Sequence, residues 1–313
     1  MVVPDPPKQS TTVARGLLLL RMARSTKIAL QMDLRLLHNA RASGGSSMTQ
    51  LAYRTEAAAE YDRAFSHVSA RFLPALLRAA RLAPGQRVLD AATGTGIAAE
   101  AALAVLGSNG SVLATDASPE MVERARRRLA SAANAAVAVE DAQRMSLPDG
   151  GFDALLCSLG LMFFPDPARG VGEFHRVLRP GGRAAVSVLT TPERSYNGRI
   201  NVLLARHAPA VAEAAARTFA LGDPDLLRSL FARAGFVGVE VDTVAHAFVL
   251  PSFDAYYGPF ERGGGSTGQV LASLPEDTRR AVREEMRRAL GDTGGPVTIE
   301  VEFRIAAGER ARA

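Results

Sequence analysis

An open α/β sheet of seven strands, mostly parallel and covered by helices on both faces, is the architecture this sequence predicts. Three observations carry it. Five short apolar strand signals alternate with helical patterns between residues 87 and 189. The first strand signal runs directly into a glycine turn. The carboxyl-terminal third adds two longer alternating strands separated by a helical insertion.

The elements follow in order. From Leu51 to Leu82, Tyr61, Phe65, Val68, Phe72, Leu73, Leu76 and Leu77 fall mostly at three- and four-residue steps, a helical pattern closed by Pro84-Gly85. Val88 and Leu89 begin a buried strand, and Ile97 to Leu106 reads as the helix opened by the turn. Ser111 to Asp116 is the second strand. Ser118 is placed to cap a helix from Pro119 to Ala130, with Pro119 in its first turn. Ala136 to Glu140 and Phe152 to Ser158 are the third and fourth strands, the latter preceded by the turn Pro148-Asp-Gly-Gly151. A helix from Pro167 to Leu178 and the turn Arg179-Pro-Gly-Gly-Arg183 lead to the fifth strand, Ala184 to Leu189. Asp223 to Ala234 reads as a helix. Val237 to Leu250 and Thr298 to Ile305 are then the last two strands, the final one inserted antiparallel. Between them, residues 251–296 are too long for a hairpin connection and are helical in pattern from Pro275 to Leu290.

Composition narrows the function. The chain of 313 residues carries a formal charge of +5, but residues 1–47 hold seven basic side chains against two acidic ones. The rest, with 30 of each sign, is formally neutral and offers no footprint for a nucleic acid. Residues 1–47 read as a poorly packed basic extension, either an organelle transit segment or sequence upstream of an enzyme that starts at Met48. The apolar run Leu17 to Leu20 is too short to span a bilayer, so no integral membrane segment is expected. A single cysteine, Cys157, excludes an internal disulfide and fits a reducing cytoplasm. Five scattered histidines show no metal-ligand spacing, and no metal is expected. Residues 48–313 are read as one domain, with self-association left open.

The stretch Arg87-Val-Leu-Asp-Ala-Ala-Thr-Gly-Thr-Gly96 is the chemical centre. Gly94 and Gly96 let the backbone turn sharply and approach a ligand. Two cofactors compete, because Gly94 to Ala99 also satisfies the dinucleotide fingerprint, with Asp116 downstream. Asp90 separates them. A carboxylate just before the turn repels a pyrophosphate but suits the cationic amino group of an aminoacyl tail, which S-adenosylmethionine has.

These residues, followed by Asp116-Ala-Ser-Pro-Glu-Met121, Asp141-Ala142, Leu147-Pro-Asp149, Phe152-Asp153, Ser158-Leu-Gly-Leu161 and Val177-Leu-Arg-Pro-Gly-Gly182, resemble class I S-adenosylmethionine-dependent methyltransferases. The nearest groups are the ubiquinone/menaquinone-biosynthesis (UbiE-like) and type 11 enzymes, and the resemblance covers roughly residues 50–190. It implies a Rossmann-like sheet and S-adenosylmethionine as cofactor. Asp90, Gly94, Thr95 and Gly96 are implied around the aminoacyl end, Asp116 at the ribose, Ala117 as a further cofactor-binding position, Asp141 and Ala142 beside the adenine, and Ser158 facing the methionine portion. Ala92 stands where many class I enzymes have a first glycine, as is usual in the UbiE-like branch. Ser158-Leu-Gly-Leu161 is not the Asn-Pro-Pro-aromatic tetrapeptide of base-amino methyltransferases, which argues against DNA N-methylation.

The expected reaction is methyl transfer to a small, apolar or aromatic acceptor, on oxygen or carbon and with a quinone-like molecule in range. Tyr61, His67, Phe163, Tyr196, Tyr256 and Tyr257 are the acceptor-side candidates, and no catalytic base is assigned. Residues 251–296 are expected to act as a lid or an acceptor-side insertion, with Gly263-Gly-Gly265 as a hinge. Two other readings stand beside this one. One is an NAD-dependent oxidoreductase, for which no Tyr-x-x-x-Lys pair is visible. The other is a non-catalytic S-adenosylmethionine-binding protein.

Overall fold

The computed structural model describes residues 55–207 and 217–312, with side chains described from Ser66 onward. The expectations for residues 1–47, for the start at Met48 and for the Tyr61 side chain lie outside the described residues.

Seven strands form one sheet in the order β3-β2-β1-β4-β5-β7-β6. β1 (Arg87–Ala91), β2 (Ser111–Asp116), β3 (Ala135–Val139), β4 (Phe152–Ser158) and β5 (Leu178–Leu189) are parallel, while β7 (Val297–Arg310) runs antiparallel between β5 and β6 (Phe236–Leu250). The expected architecture is therefore observed, including the inserted final strand. The order reverses between β1 and β4, which opens a crevice at the carboxyl ends of those strands.

Parallel strands covered on both faces read as continuous apolar runs. Val88, Leu89 and Ala91 of β1, Ala154 to Cys157 of β4, and Ala184 to Val186 of β5 are all buried. Cys157 takes its place there as a small apolar side chain. Helix α1 (Thr55–Ala79) buries Val68, Phe72, Leu73 and Leu76 on one face. Phe72 stacks on Phe303 of β7, with ring centroids 4.0 Å apart and planes 17° from parallel. The helix expected to reach Leu82 stops earlier because Arg81 takes a left-handed backbone, φ 53°.

Helix α2 (Ile97–Leu106) follows β1, and α3 (Pro119–Arg128) follows β2. The Ser118 hydroxyl accepts from the Met121 N–H, the cap read from the sequence. Helix α4 (Pro167–Val177) joins β4 to β5. β5 starts six residues before the expected Ala184, because Leu178 already pairs with Phe152. Arg179 to Gly182 then form an irregular excursion before the ladder resumes at Arg183.

Beyond β5 come α5 (Gly198–Ala205) and α6 (Pro224–Arg233), then the β6 and β7 pair. The insertion between those strands folds as α7 (Phe253–Glu261), α8 (Gly265–Ser273) and α9 (Glu276–Ala289). Only α6 and α9 were readable as helices. The Gly258-Pro259 pair inside α7 and the glycines of α8 lower intrinsic helix propensity. Burial supplies the stability: Phe253, Tyr256, Tyr257, Phe260 and Leu271 are all at or below 1 % exposure. Gly268 marks where the helices cross, since a Cβ there would lie 2.6 Å from the Gly263 carbonyl carbon.

One feature of the ladder positions this insertion. The last β5 pair is Leu189 with Phe303, yet β6 and β7 stay paired as far as Leu250 with Val297. A two-stranded arm thus overruns β5 by six residues, roughly 20 Å of extended chain. It leaves from the carboxyl edge of the parallel strands and carries α7 to α9 there.

Candidate cofactor and acceptor site

The site starts at the end of β1. Asp90 is fully buried; its Oδ2 accepts from the Thr93 hydroxyl at 2.5 Å, while Oδ1 has no hydrogen-bond partner. Burial raises its pKa to about 7, aided by the nearby Asp116 carboxylate and opposed by the Thr93 hydroxyl and the Ala99 N–H. An orphaned carboxylate oxygen in a dry position is a receptor for a cation. It does not suit a pyrophosphate.

The loop above it is held by main-chain bonds. Thr93 N–H donates to the Thr115 carbonyl, and Gly96 N–H to the Thr93 carbonyl. Ala92 sits at φ 54°, a left-handed backbone that glycine adopts most readily. At Gly94 a Cβ would meet nothing within 4 Å, which leaves the loop's outer side open to a ligand. At Gly96, φ 86°, a Cβ would press on Ala125 of α3 at 3.2 Å. The loop is thus packed from below and open above.

At the end of β2, Asp116 grips that loop. Its Oδ2 accepts from the Gly94 N–H and its Oδ1 from the Ser118 N–H, both at 2.9 Å. Each oxygen retains a lone pair, so vicinal hydroxyls can still be accepted. Burial raises this carboxyl's pKa, and the two N–H donors counter it. Ala117 follows as the exposed apex of the same turn.

After β3, Asp141 closes a turn by accepting from the Gln143 N–H at 2.9 Å, and Ala142 is buried beside it. After β4, Ser158 is half-buried and Leu159 takes φ 55°, its N–H donating to the Ser187 carbonyl and hydroxyl. Strain of this kind gathers at ligand sites. Gly160 packs β4 onto the loop of β1, because a Cβ there would lie 2.6 Å from that of Ala92. Asp90, Gly94 to Gly96, Asp116, Ala117, Asp141, Ala142 and Ser158 therefore all come to the carboxyl ends of four neighbouring strands.

The acceptor-side candidates divide. His67, Tyr196 and Tyr256 meet in one aromatic cluster with Phe248 at the arm. Tyr196 lies edge-on to His67 at 5.9 Å, to Phe248 at 5.7 Å and to Tyr256 at 5.4 Å. The Tyr256 hydroxyl donates to the Tyr196 carbonyl at 2.7 Å. Tyr257 points elsewhere, stacked on Phe253 with the Arg283 guanidinium over its ring. Tyr256 and Tyr257 are both wholly buried, so the arrangement uses them for packing. Phe163 stands apart on the short turn after β4 and is 54 % exposed. Burial holds the exposed-edge His67 below its ordinary pKa and pushes Tyr196 up to about 12.

Sequence reading missed three site residues. Thr93, three positions after Asp90, has a hydroxyl spacing that could have flagged it. Gln143 ties the β3 turn to the start of α4 by accepting from the Asp166 N–H at 2.8 Å. Arg128 donates to the loop from α3, a tertiary contact with no local signature. Among the described residues, no three or more His, Cys, Asp or Glu side chains converge as a metal site, and no helix is long and apolar enough to cross a membrane.

Known proteins match this geometry. Residues 88–182 fit the family model described as a methyltransferase domain. A demethylmenaquinone methyltransferase of Clavibacter sepedonicus is 35 % identical over 178 residues, covering 53 % of this chain and 71 % of that protein. An uncharacterized protein of Mycobacterium bovis is 31 % identical over 49 % of this chain, which spans 54 % of that relative's length. Phosphoethanolamine N-methyltransferase 2 of Haemonchus contortus, solved with S-adenosylhomocysteine, superposes with a TM-score of 0.56 at 17 % identity, over 84 % of this chain and 58 % of that one. The last likeness shows the fold alone. Motif order, sheet order and the identity to the Clavibacter enzyme agree: the chain belongs to the S-adenosylmethionine-dependent class I methyltransferases, in their UbiE-like group, and not to the dinucleotide-dependent oxidoreductases.

Proposed function

We propose that the chain methylates a small aromatic acceptor of hydroquinone or phenol type, bound at the carboxyl edge between the loop of β1 and the aromatic end of the β6–β7 arm. The observation that carries this is the arm, which overruns β5 and sets His67, Tyr196 and Phe248 together on the edge where α/β sheets take ligands. The name of the Clavibacter relative supports the same acceptor class.

In this reading Asp90, with the loop of Gly94, Thr95 and Gly96, holds the aminoacyl end of the cofactor. Asp116 and Ala117 take the ribose, Asp141 and Ala142 the adenine, and Ser158 the methionine portion. When bound, the sulfonium supplies an electrophilic methyl group for direct displacement. The chain's own task is to align the acceptor and keep water out. Tyr196 and Tyr256 stay protonated at neutral pH, whereas His67 is held as the neutral imidazole. His67 is the group in that cluster able to take a phenolic proton. Tyr256 and Tyr257 anchor the insertion from inside, so residues 251–296 serve as a wall of the acceptor site.

The test is a methyl-release assay with S-adenosylmethionine against a panel of hydroquinones, phenols, amines and small carboxylic acids. Turnover confined to the hydroquinones and phenols is expected. Turnover of amines or carboxylates alone overturns the acceptor class, and binding with no turnover on any member would make the chain a cofactor-binding protein.

A further inference from the structure

The glycine loop is held by a side chain that lies outside it. Arg128, at the end of α3, donates from Nε to the Thr95 carbonyl at 2.8 Å and from Nη1 to the Glu100 carboxylate of α2 at 3.1 Å. Its neighbours Arg126 and Arg127 face solvent on the same turn, but the Arg128 side chain is only 25 % exposed. The peptide it holds is not a passive one. The Thr95 carbonyl and the Gly96 N–H belong to the same peptide group, and that N–H donates to the Thr93 carbonyl at 3.0 Å. Thr93 in turn gives its hydroxyl to Asp90. A cation at the Thr95 carbonyl strengthens the Gly96 bond through their shared peptide, and Thr93, fixed by that bond, sets where its hydroxyl meets Asp90.

A second contact comes from the same strand–helix unit. Asp116 of β2 fixes the Gly94 N–H while Arg128 of α3 fixes the Thr95 carbonyl, so the two peptides at the tip of the loop are held from one side. Ala125 and the Arg128 stem fill the space below Gly96, at 3.2 Å and 3.6 Å from where a Cβ would stand. The loop therefore takes its position from β2 and α3 together. The orphaned Oδ1 of Asp90 is the group at the far end of the chain.

We propose that Arg128 is a positioning residue for the aminoacyl half of the cofactor site, acting through the Thr95–Gly96 peptide and Thr93 on the Asp90 carboxylate. This rests on the cofactor assignment made above. Glu100 aims the guanidinium; the Arg128–Glu100 pair is partly exposed, and its direct contribution to stability is small. The effect is selective by ligand chemistry. S-adenosylhomocysteine carries the aminoacyl group, whereas 5′-methylthioadenosine keeps the adenine, ribose and sulfur and lacks it.

Isothermal titration of the full chain with both ligands tests this. Arg128→Met keeps the packing stem and removes the charge; it is expected to weaken S-adenosylhomocysteine about five- to tenfold and leave 5′-methylthioadenosine near the wild-type value. Arg128→Lys should recover part of the loss, and Glu100→Gln should show a smaller loss of the same selectivity. If the Met variant fails to fold, the Lys and Gln variants carry the comparison. Wild-type affinity for S-adenosylhomocysteine in these variants, or an equal loss for both ligands, overturns the proposal. A wild-type chain that binds neither ligand overturns the cofactor assignment itself.

Discussion

The two ends of the sheet are built by different means. At the β1–β2–β3 end the strands are five or six residues long, and the groups at their tips are loop peptides and carboxylates. At the β6–β7 end the strands run to 15 and 14 residues, and what they present is a set of interlocked rings. Main-chain geometry places the first set; side-chain packing places the second. A site held by peptide groups has few solutions, because each N–H and carbonyl must be directed. A site held by packed rings tolerates exchange as long as volume is kept. The proposed donor end is the constrained one and the proposed acceptor end the adjustable one.

The largest effect that separates the two ends is expected from Phe303→Ala. Phe303 is buried against Phe72 and away from the glycine loop. Its truncation should cost about 3–5 kcal/mol of unfolding free energy in urea titration. The affinity of the folded protein for S-adenosylhomocysteine should stay at the wild-type value, and a parallel loss would join the two ends.

Asp116→Ala should do the reverse. Under the proposed ribose role, losing the carboxylate should remove charge-assisted bonds to the ribose hydroxyls, about 1.5–3 kcal/mol of cofactor affinity. The thermal midpoint should move less than in the Phe303 variant. An unchanged dissociation constant would remove Asp116 from the site.

The smallest effect is read by pH. Burial lifts Asp90 to about 7, so in the free protein its carboxyl is largely protonated below that value, and a cationic amino group binds the ionised form. Cofactor affinity should therefore rise with pH and level off above about 7. The gain from pH 6 to pH 8 is expected to be about tenfold, with proton release on binding at the lower pH. Asp116 and Cys157 are the other titratable groups facing it; the Cys157 thiol, pushed up to about 12, stays neutral throughout. The stability of the free chain has the opposite sign. A carboxyl whose pKa is raised on folding takes up protons between its unfolded and folded values, so its contribution falls as pH rises from about 4 to about 7. Asp90→Asn should flatten both profiles, and an Asn variant with the wild-type slopes would assign them to another group.

Legibility in the sequence follows the same division. β1, β2 and β4 and the helix of Ile97–Leu106 were readable nearly to the residue, because short apolar runs bounded by glycine, proline and capping serine are local signals. The placement of Asp90, Gly94 and Asp116 at the ends of β1 and β2 was readable because their spacing is itself the motif. Helices α5, α7 and α8 were not. Their Gly198, Gly258-Pro259 and Gly268 oppose helix locally and are overridden by burial of Ile200, Tyr256 and Leu271. Thr93 was within reach of a local rule. Arg128 was not, since it meets Thr95 across 33 positions of sequence. The aromatic cluster also escaped reading as a cluster: His67, Tyr196, Phe248 and Tyr256 come from four separate elements or turns.

The placement of β7 sets an order of events in synthesis. Among the described residues β6 has its ladder only with β7, and the 46 residues of the insertion are made between the two strands. A chain emerging from the ribosome therefore holds β6 without a sheet neighbour until residues 297–310 follow, although β1 to β5 already have one another. Exposed strand edges of that kind are prone to wrong pairings. The β1 to β5 half can thus pair before residues 297–310 are made, whereas the β6–β7 arm closes after the helical insertion has been translated.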